Sequence, residues 1–193
     1  MKRLLIALTA AALAAVGVGI GVANAFDNTN AQILSPFRCP EYRSTGQPIV
    51  FSDPNTGGRP LVVKFSWVAL QEKQIQDFLK YEFGSITVTD SNGNTVFSQS
   101  WPLGDTASWT PIAPVTVAQP NGGSFNGWGT AHESPLGSLS SGPTGDATYY
   151  LSVDAELTHA VNDGFGSFPR GKIPAPYVQV ANCAFTVHDF SRG

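Results

Sequence analysis

The chain has 193 residues, 11 of them basic and 14 acidic, with 42% apolar and only 13% charged. That length suits one domain with a sizeable core, and an acidic balance argues against nucleic acid and anionic membrane surfaces as partners. Glycine (20) and proline (14) are frequent while cysteine is limited to two, which fits strands and turns and leaves too few ligands for a zinc cluster.

Residues 1–25 read as a secretory signal. Lys2 and Arg3 head it, residues 4–22 are an apolar run, and Ala23, Asn24 and Ala25 form a small-x-small cleavage site. The apolar run is also long enough to serve as an anchor in a thin bilayer, but the cleavage pattern favours removal, so export without a membrane span is expected. Loss of these 25 residues, which carry no acid, leaves 168 residues with 9 basic and 14 acidic side chains, a net charge of −5.

Residues 26–60 read as a proline-rich arm in which only 48–51 looks extended, and residues 61–193 as the domain proper. Cys39 in the arm and Cys183 near the C-terminus are expected to pair, because two cysteines in an exported chain usually do; the arm is expected to be held by Cys39 and Tyr42. Asp53, Asn55 and Gly57 mimic the start of a calcium loop but lack its closing acid, so turn chemistry explains them.

Residues 61–69 alternate as a strand, with Leu61, Val63, Phe65 and Trp67 on one face. In residues 70–83, Ile75, Phe78, Leu79 and Glu82 follow helical spacing, with Gly84 as the expected stop. The apolar side of this short helix must lie on a sheet or over one open end of it. Residues 85–101 read as a hairpin about Asp90, Ser91, Asn92, Gly93 and Asn94. Those five open like an EF-hand, but Thr95 and Trp101 stand where that loop needs Gly and Glu.

Residues 101–141 look irregular, with one short strand at 115–117. They hold Trp101, Trp109 and Trp128, the last within a Gly/Asn/Ser-rich run. Each ring must cap the core or stand at the surface, and exposed rings beside amides stack sugars. Trp109, Trp128 and Asn126 are therefore candidate ligand-binding residues.

Residues 148–159 are the clearest strand, with Tyr149, Leu151, Val153, Ala155 and Leu157 facing a core and Tyr150, Ser152, Asp154, Glu156 and Thr158 facing water. Asp154 and Glu156 are roughly 7 Å apart along that strand, and they are the candidate catalytic pair of a glycosidase reading. Parity puts His159 at the core edge. His132, His159 and His188 are scattered, His132-Glu133 sits in a Gly/Pro-rich stretch, and no metal ligand set or cofactor motif emerges. A nucleophile elbow is missing too; Ser124, between Gly122 and Asn126, comes closest. A turn at Asn162, Asp163 and Gly164 leads through a loop to the closing strand, 177–190, where Tyr177, Ala181, Cys183, Phe185 and Val187 share a face that Gln179 interrupts.

Residues 62–83, with Trp67 and the Gln-Asp-Phe-Leu helix, the hairpin, and Leu157-Thr-His-Ala-Val-Asn-Asp-Gly164 together resemble a family of exported bacterial β-sandwich domains of uncharacterised function. The resemblance spans 62–188 and implies a fold and a compartment, with no catalytic residues to carry over. The expected fold is an antiparallel β-sandwich of seven to nine strands, immunoglobulin-like or jelly-roll, with one short amphipathic helix; an α+β layer is the alternative. The expected function is a non-catalytic binding or surface-associated module for a glycan or another cell-envelope component. The alternatives are a polysaccharide hydrolase, or an assembly subunit whose arm adds a strand to a neighbouring copy.

Overall fold

The structure is a computed structural model that describes residues 30–36, 39, 49–118, 123–137, 139–165, 172–173 and 175–192; the signal segment and Tyr42 lie outside them. The described residues form an all-β sandwich with one ten-residue α-helix. In chain order the strands are β1 (Gln32–Leu34), β2 (Val50–Ser52), β3 (Leu61–Ala69), β4 (Glu82–Asp90), β5 (Thr95–Trp101), β6 (Ala113–Ala118), β7 (Ser124–Pro135), β8 (Asp146–Leu157), β9 (Val161–Asn162), β10 (Lys172–Ile173) and β11 (Tyr177–His188), with α1 (Glu72–Tyr81) between β3 and β4. One sheet has the order β1-β3-β7-β6, the other β2-β11-β8-β4-β5, and β9 and β10 form a separate two-stranded ladder.

Alternation decides what each sheet buries. Leu61, Val63 and Phe65 of β3 pack against Ile86, Val88, Leu151, Val153, Phe185 and Val187 of the opposite sheet in one cluster. The sheets are mixed, a departure from the all-antiparallel expectation. β1 runs parallel to β3 and β2 parallel to β11; parallel neighbours need a long crossover, and the arm supplies it by contributing one edge strand to each sheet. The described parts of the arm are thus docked in cis rather than held out for a neighbour. Cys39 and Cys183 are joined across 144 residues of chain with their Cα atoms 5.4 Å apart. Asp53, just past β2, adds a second tie: its Oδ2 accepts from the backbone N–H and hydroxyl of Ser141, both at 2.7 Å, and its Oδ1 from the Asn55 N–H. The carboxylate read as a calcium mimic is consumed by these bonds.

Helix α1 buries Ile75, Phe78 and Leu79, the i, i+3, i+4 set that lays one stripe on the sandwich. At its start the Gln71 N–H donates to Gln74 Oε1 at 2.9 Å, and the ring of Phe78 stacks on Trp67 at 4.2 Å. The expected stop at Gly84 is corrected. The helix ends at Tyr81 because Glu82 is already extended (φ −99°, ψ 143°), and Gly84 lies inside β4. It is glycine because a Cβ there would run into the Trp101 ring and the Asp154 carbonyl.

The region read as irregular holds β6 and the twelve-residue β7. Its Gly/Asn/Ser content hides a central strand: at Gly127 a Cβ would meet the Ala69 carbonyl oxygen at 2.7 Å, so bare backbone is what lets β7 lie beside β3. The hairpin turn forms as expected, with Asp90 Oδ1 accepting from the N–H groups of Asn92 and Asn94. Strand β8 ends at Leu157, so His159 falls beyond it, exposed, with its ring 4.3 Å from Tyr81, rather than at the core edge.

Candidate functional site

Two places on this scaffold carry chemistry: a polar centre between the sheets and the outer face of the five-stranded sheet. The polar centre begins with Glu82. Leaving the helix in extended conformation, it turns inward on β4 and is 2% exposed. Gly84, paired with Trp101, lets that indole lie across β4, where Nε1 reaches both carboxyl oxygens of Glu82 at 2.7 Å. The other side of Trp101 meets His132 of β7, ring to ring at 4.2 Å. Trp109 pairs with His132 and stands edge-on to Phe65 and Phe78, at 5.4 Å from each. The Thr110 N–H and hydroxyl, bonded to Ala131, pin this segment to β7.

Electrostatics follow from burial. Desolvation pushes the Glu82 carboxyl up to about 7; the Trp101 bond opposes it and the charge of Asp105 adds to it. Desolvation likewise lowers His132 to about 4, against the opposing pull of the Ser108 backbone and of Asp105 and Glu133. His132 is neutral at physiological pH, with Nε2 3.0 Å from the Ser134 hydroxyl and Nδ1 without a well-formed hydrogen bond. Asp105 is held below the ordinary carboxylate range chiefly by the Ser108 hydroxyl at 2.6 Å. Beside this centre lies a cavity of about 30 Å³, walled by Phe65, Trp67, Phe78, Trp109 and Tyr177 together with Glu82 and the Ala155–Leu157 end of β8.

The second place is the outer face of the β2-β11-β8-β4-β5 sheet. Tyr150 of β8 is 49% exposed there, between Ala184 of β11 and Thr89 of β4. Thr148 and Ser152 flank it along the strand, and Ser152 continues across to Thr87 and Ser98. Val50, Val178 and Val180 are exposed on the same face, so apolar surface and hydroxyls are interleaved.

The candidates from sequence fall at separate places. Trp109 is 6% exposed and belongs to the core, which removes it from the surface; the Thr110 bonds and the helix ring Phe78 account for that burial. Trp128 is half-buried against the core. Asn126 is exposed, its Oδ1 accepting from the Thr116 hydroxyl at 2.9 Å. Asp154 is exposed on the outer face opposite Ser85 and Val180, and Glu156 is half-buried at the cavity. His132 lies in β7, not in a loop, and His188 Nδ1 pairs with Asp146 at 2.7 Å. Among the described residues no three His, Cys, Asp or Glu side chains are grouped for a metal, and no helix is long and apolar enough to cross a membrane. Sequence reasoning missed Glu82, which it absorbed into the helical spacing, and the pairing of Glu82 with Trp101.

No protein-family model, curated protein or solved structure matches the chain. Its class therefore rests on its own fold: among the described residues, a disulfide-bonded all-β sandwich carrying the short helix α1.

Proposed function

We propose that the protein is an exported, non-catalytic binding module that holds a glycan or another cell-envelope component on the outer face of its five-stranded sheet, around Tyr150. Export is supported by the charged, apolar and small-residue order of residues 1–25 and by the disulfide, which persists in oxidising compartments. The observation that carries the reading is the exposed Tyr150 ring with the small Ala184 beside it and the hydroxyls of Thr89, Thr148 and Ser152 around it. An aromatic face takes the apolar side of a sugar ring while neighbouring hydroxyls bond its rim. The platform is rigid, because β8 is a central strand paired along its length on both sides. Asp154 lies roughly 13 Å further along β8, within reach of a chain ligand stacked on Tyr150.

A glycan array probed with the secreted protein tests this. The parent should retain a defined set of glycans, and Tyr150→Ala should weaken them by about tenfold or more, as loss of a central aromatic contact does. A blank array for the parent would overturn the proposal.

A further inference from the structure

We propose that the cavity beside Glu82 is a binding site for a small protonated primary amine, the size of methylammonium, arriving either as a free amine or as the tip of a lysine side chain. Charge is the first argument. Glu82 brings a buried carboxyl to its wall, and among the described residues no Lys or Arg lines it. Asp105 acts on Glu82 from behind, His132 is neutral, and Lys64 is engaged by Glu133 at 2.9 Å. A carboxyl that is 2% exposed and has no cationic partner among the described residues is costly to keep charged; an ammonium would supply a counter-charge.

The walls add the second argument. Phe65, Trp67, Phe78, Trp109 and Tyr177 surround the space, and aromatic faces attract cations, most strongly where water is excluded. Size is the third. About 30 Å³ admits a group of one or two water-sized atoms and no sugar ring, which separates this site from the sheet face around Tyr150. Finally, the receiving group is already fixed: Trp101 Nε1 holds both Glu82 oxygens, and a carboxylate has about four acceptor positions, so capacity remains for an ammonium N–H.

The test follows the indole N–H resonances of the full chain during titration with methylammonium chloride. Sodium chloride matches the ionic strength, tetramethylammonium is too wide for the cavity, and methanol is a neutral probe with the same number of heavy atoms as methylammonium. Saturable shifts of Trp101 and Trp109 with methylammonium alone are expected, weakened by more than about tenfold in Glu82→Gln, as when one partner of a buried charge pair is removed. Saturable binding of Nα-acetyllysine amide as well would assign the source to a lysine tip, and its failure to bind would assign it to a free amine. The proposal is overturned by the absence of a saturable shift, by equal binding of methanol, or by Glu82→Gln binding as the parent does. Should that variant fail to fold, the parent decides: methylammonium affinity must rise as the pH is taken up through about 7, where Glu82 ionises, and a flat profile would overturn the proposal.

Discussion

Glu82→Gln is expected to stabilise the protein at alkaline pH and to uncover a second titration that the carboxyl conceals. Folded Glu82 keeps its proton up to about 7 because burial outweighs the Trp101 bond, against an ordinary value of 4.5. Below 4.5 the group is protonated in both folded and unfolded states. As the pH rises toward 7 the unfolded chain ionises and the folded one does not, so stability falls by about 3 kcal/mol, roughly 1.4 kcal/mol for each pH step between the two values. His132 runs the other way. Its folded value of about 4 lies below the ordinary 6.5, so its contribution is fully present above 6.5 and is lost, again by about 3 kcal/mol, as the pH falls through 4. Between 4.5 and 6.5 the two slopes oppose each other and these two groups together leave the parent nearly level. Asp53 and Asp105, both held below 3.8 by hydrogen bonds, act only at lower pH. Urea unfolding at a series of pH values checks this. Glu82→Gln should climb steadily from 4 to 6.5 and, above 7, exceed the parent by up to about 3 kcal/mol, less whatever the neutral amide loses as an acceptor for Trp101. A variant whose curve runs parallel to the parent's, or lies below it at alkaline pH, would refute the reasoning.

Other expectations rest on separate contacts. Gly84→Ala should cost about 2–3 kcal/mol, the range of overpacking, and shift the Trp101 fluorescence, because the added Cβ meets the indole and a carbonyl; an unchanged midpoint in chemical unfolding would contradict the close approach. Reducing the Cys39–Cys183 bond should cost about 2–5 kcal/mol, measured as the drop in urea midpoint with and without reductant. Asp53→Ala should cost about 2–3 kcal/mol by stranding the Ser141 and Asn55 donors, again by urea unfolding. Tyr150→Ala should leave stability within about 0.5 kcal/mol, as exposed sites do, so any loss of binding by that variant reports recognition rather than folding.

Much of this architecture is written in local patterns. Alternation along β8 and β11 is strong enough to separate core from wet face; it put Tyr150, Ser152 and Asp154 on the exposed side, and the lone cysteine pair tied the arm to the closing strand, whereas on β3 both faces are covered and Lys64 and Val68 are buried opposite Leu61 and Val63. What failed to show depends on partners distant in sequence. Strand β7 carries the glycines and amides of a loop, and only the approach of Ala69 explains Gly127. Glu82 continues the helical spacing of Ile75 and Phe78, so its place at the head of a strand, beside a tryptophan 19 residues away, has no local signature. Trp109 follows the same logic: in a flexible stretch its ring reads either as a cap on the core or as a surface ring, and the core claims it because Phe65, Phe78 and His132 close around it.

The most direct measurement of where recognition takes place is a backbone-amide shift map of the protein with a glycan retained on the array. Shifts centred on Tyr150, Thr148, Ser152, Thr89 and Ala184 are predicted. Shifts confined to Asn126, Trp128 and their neighbours on β6 and β7, with the five-stranded sheet silent, would contradict the account.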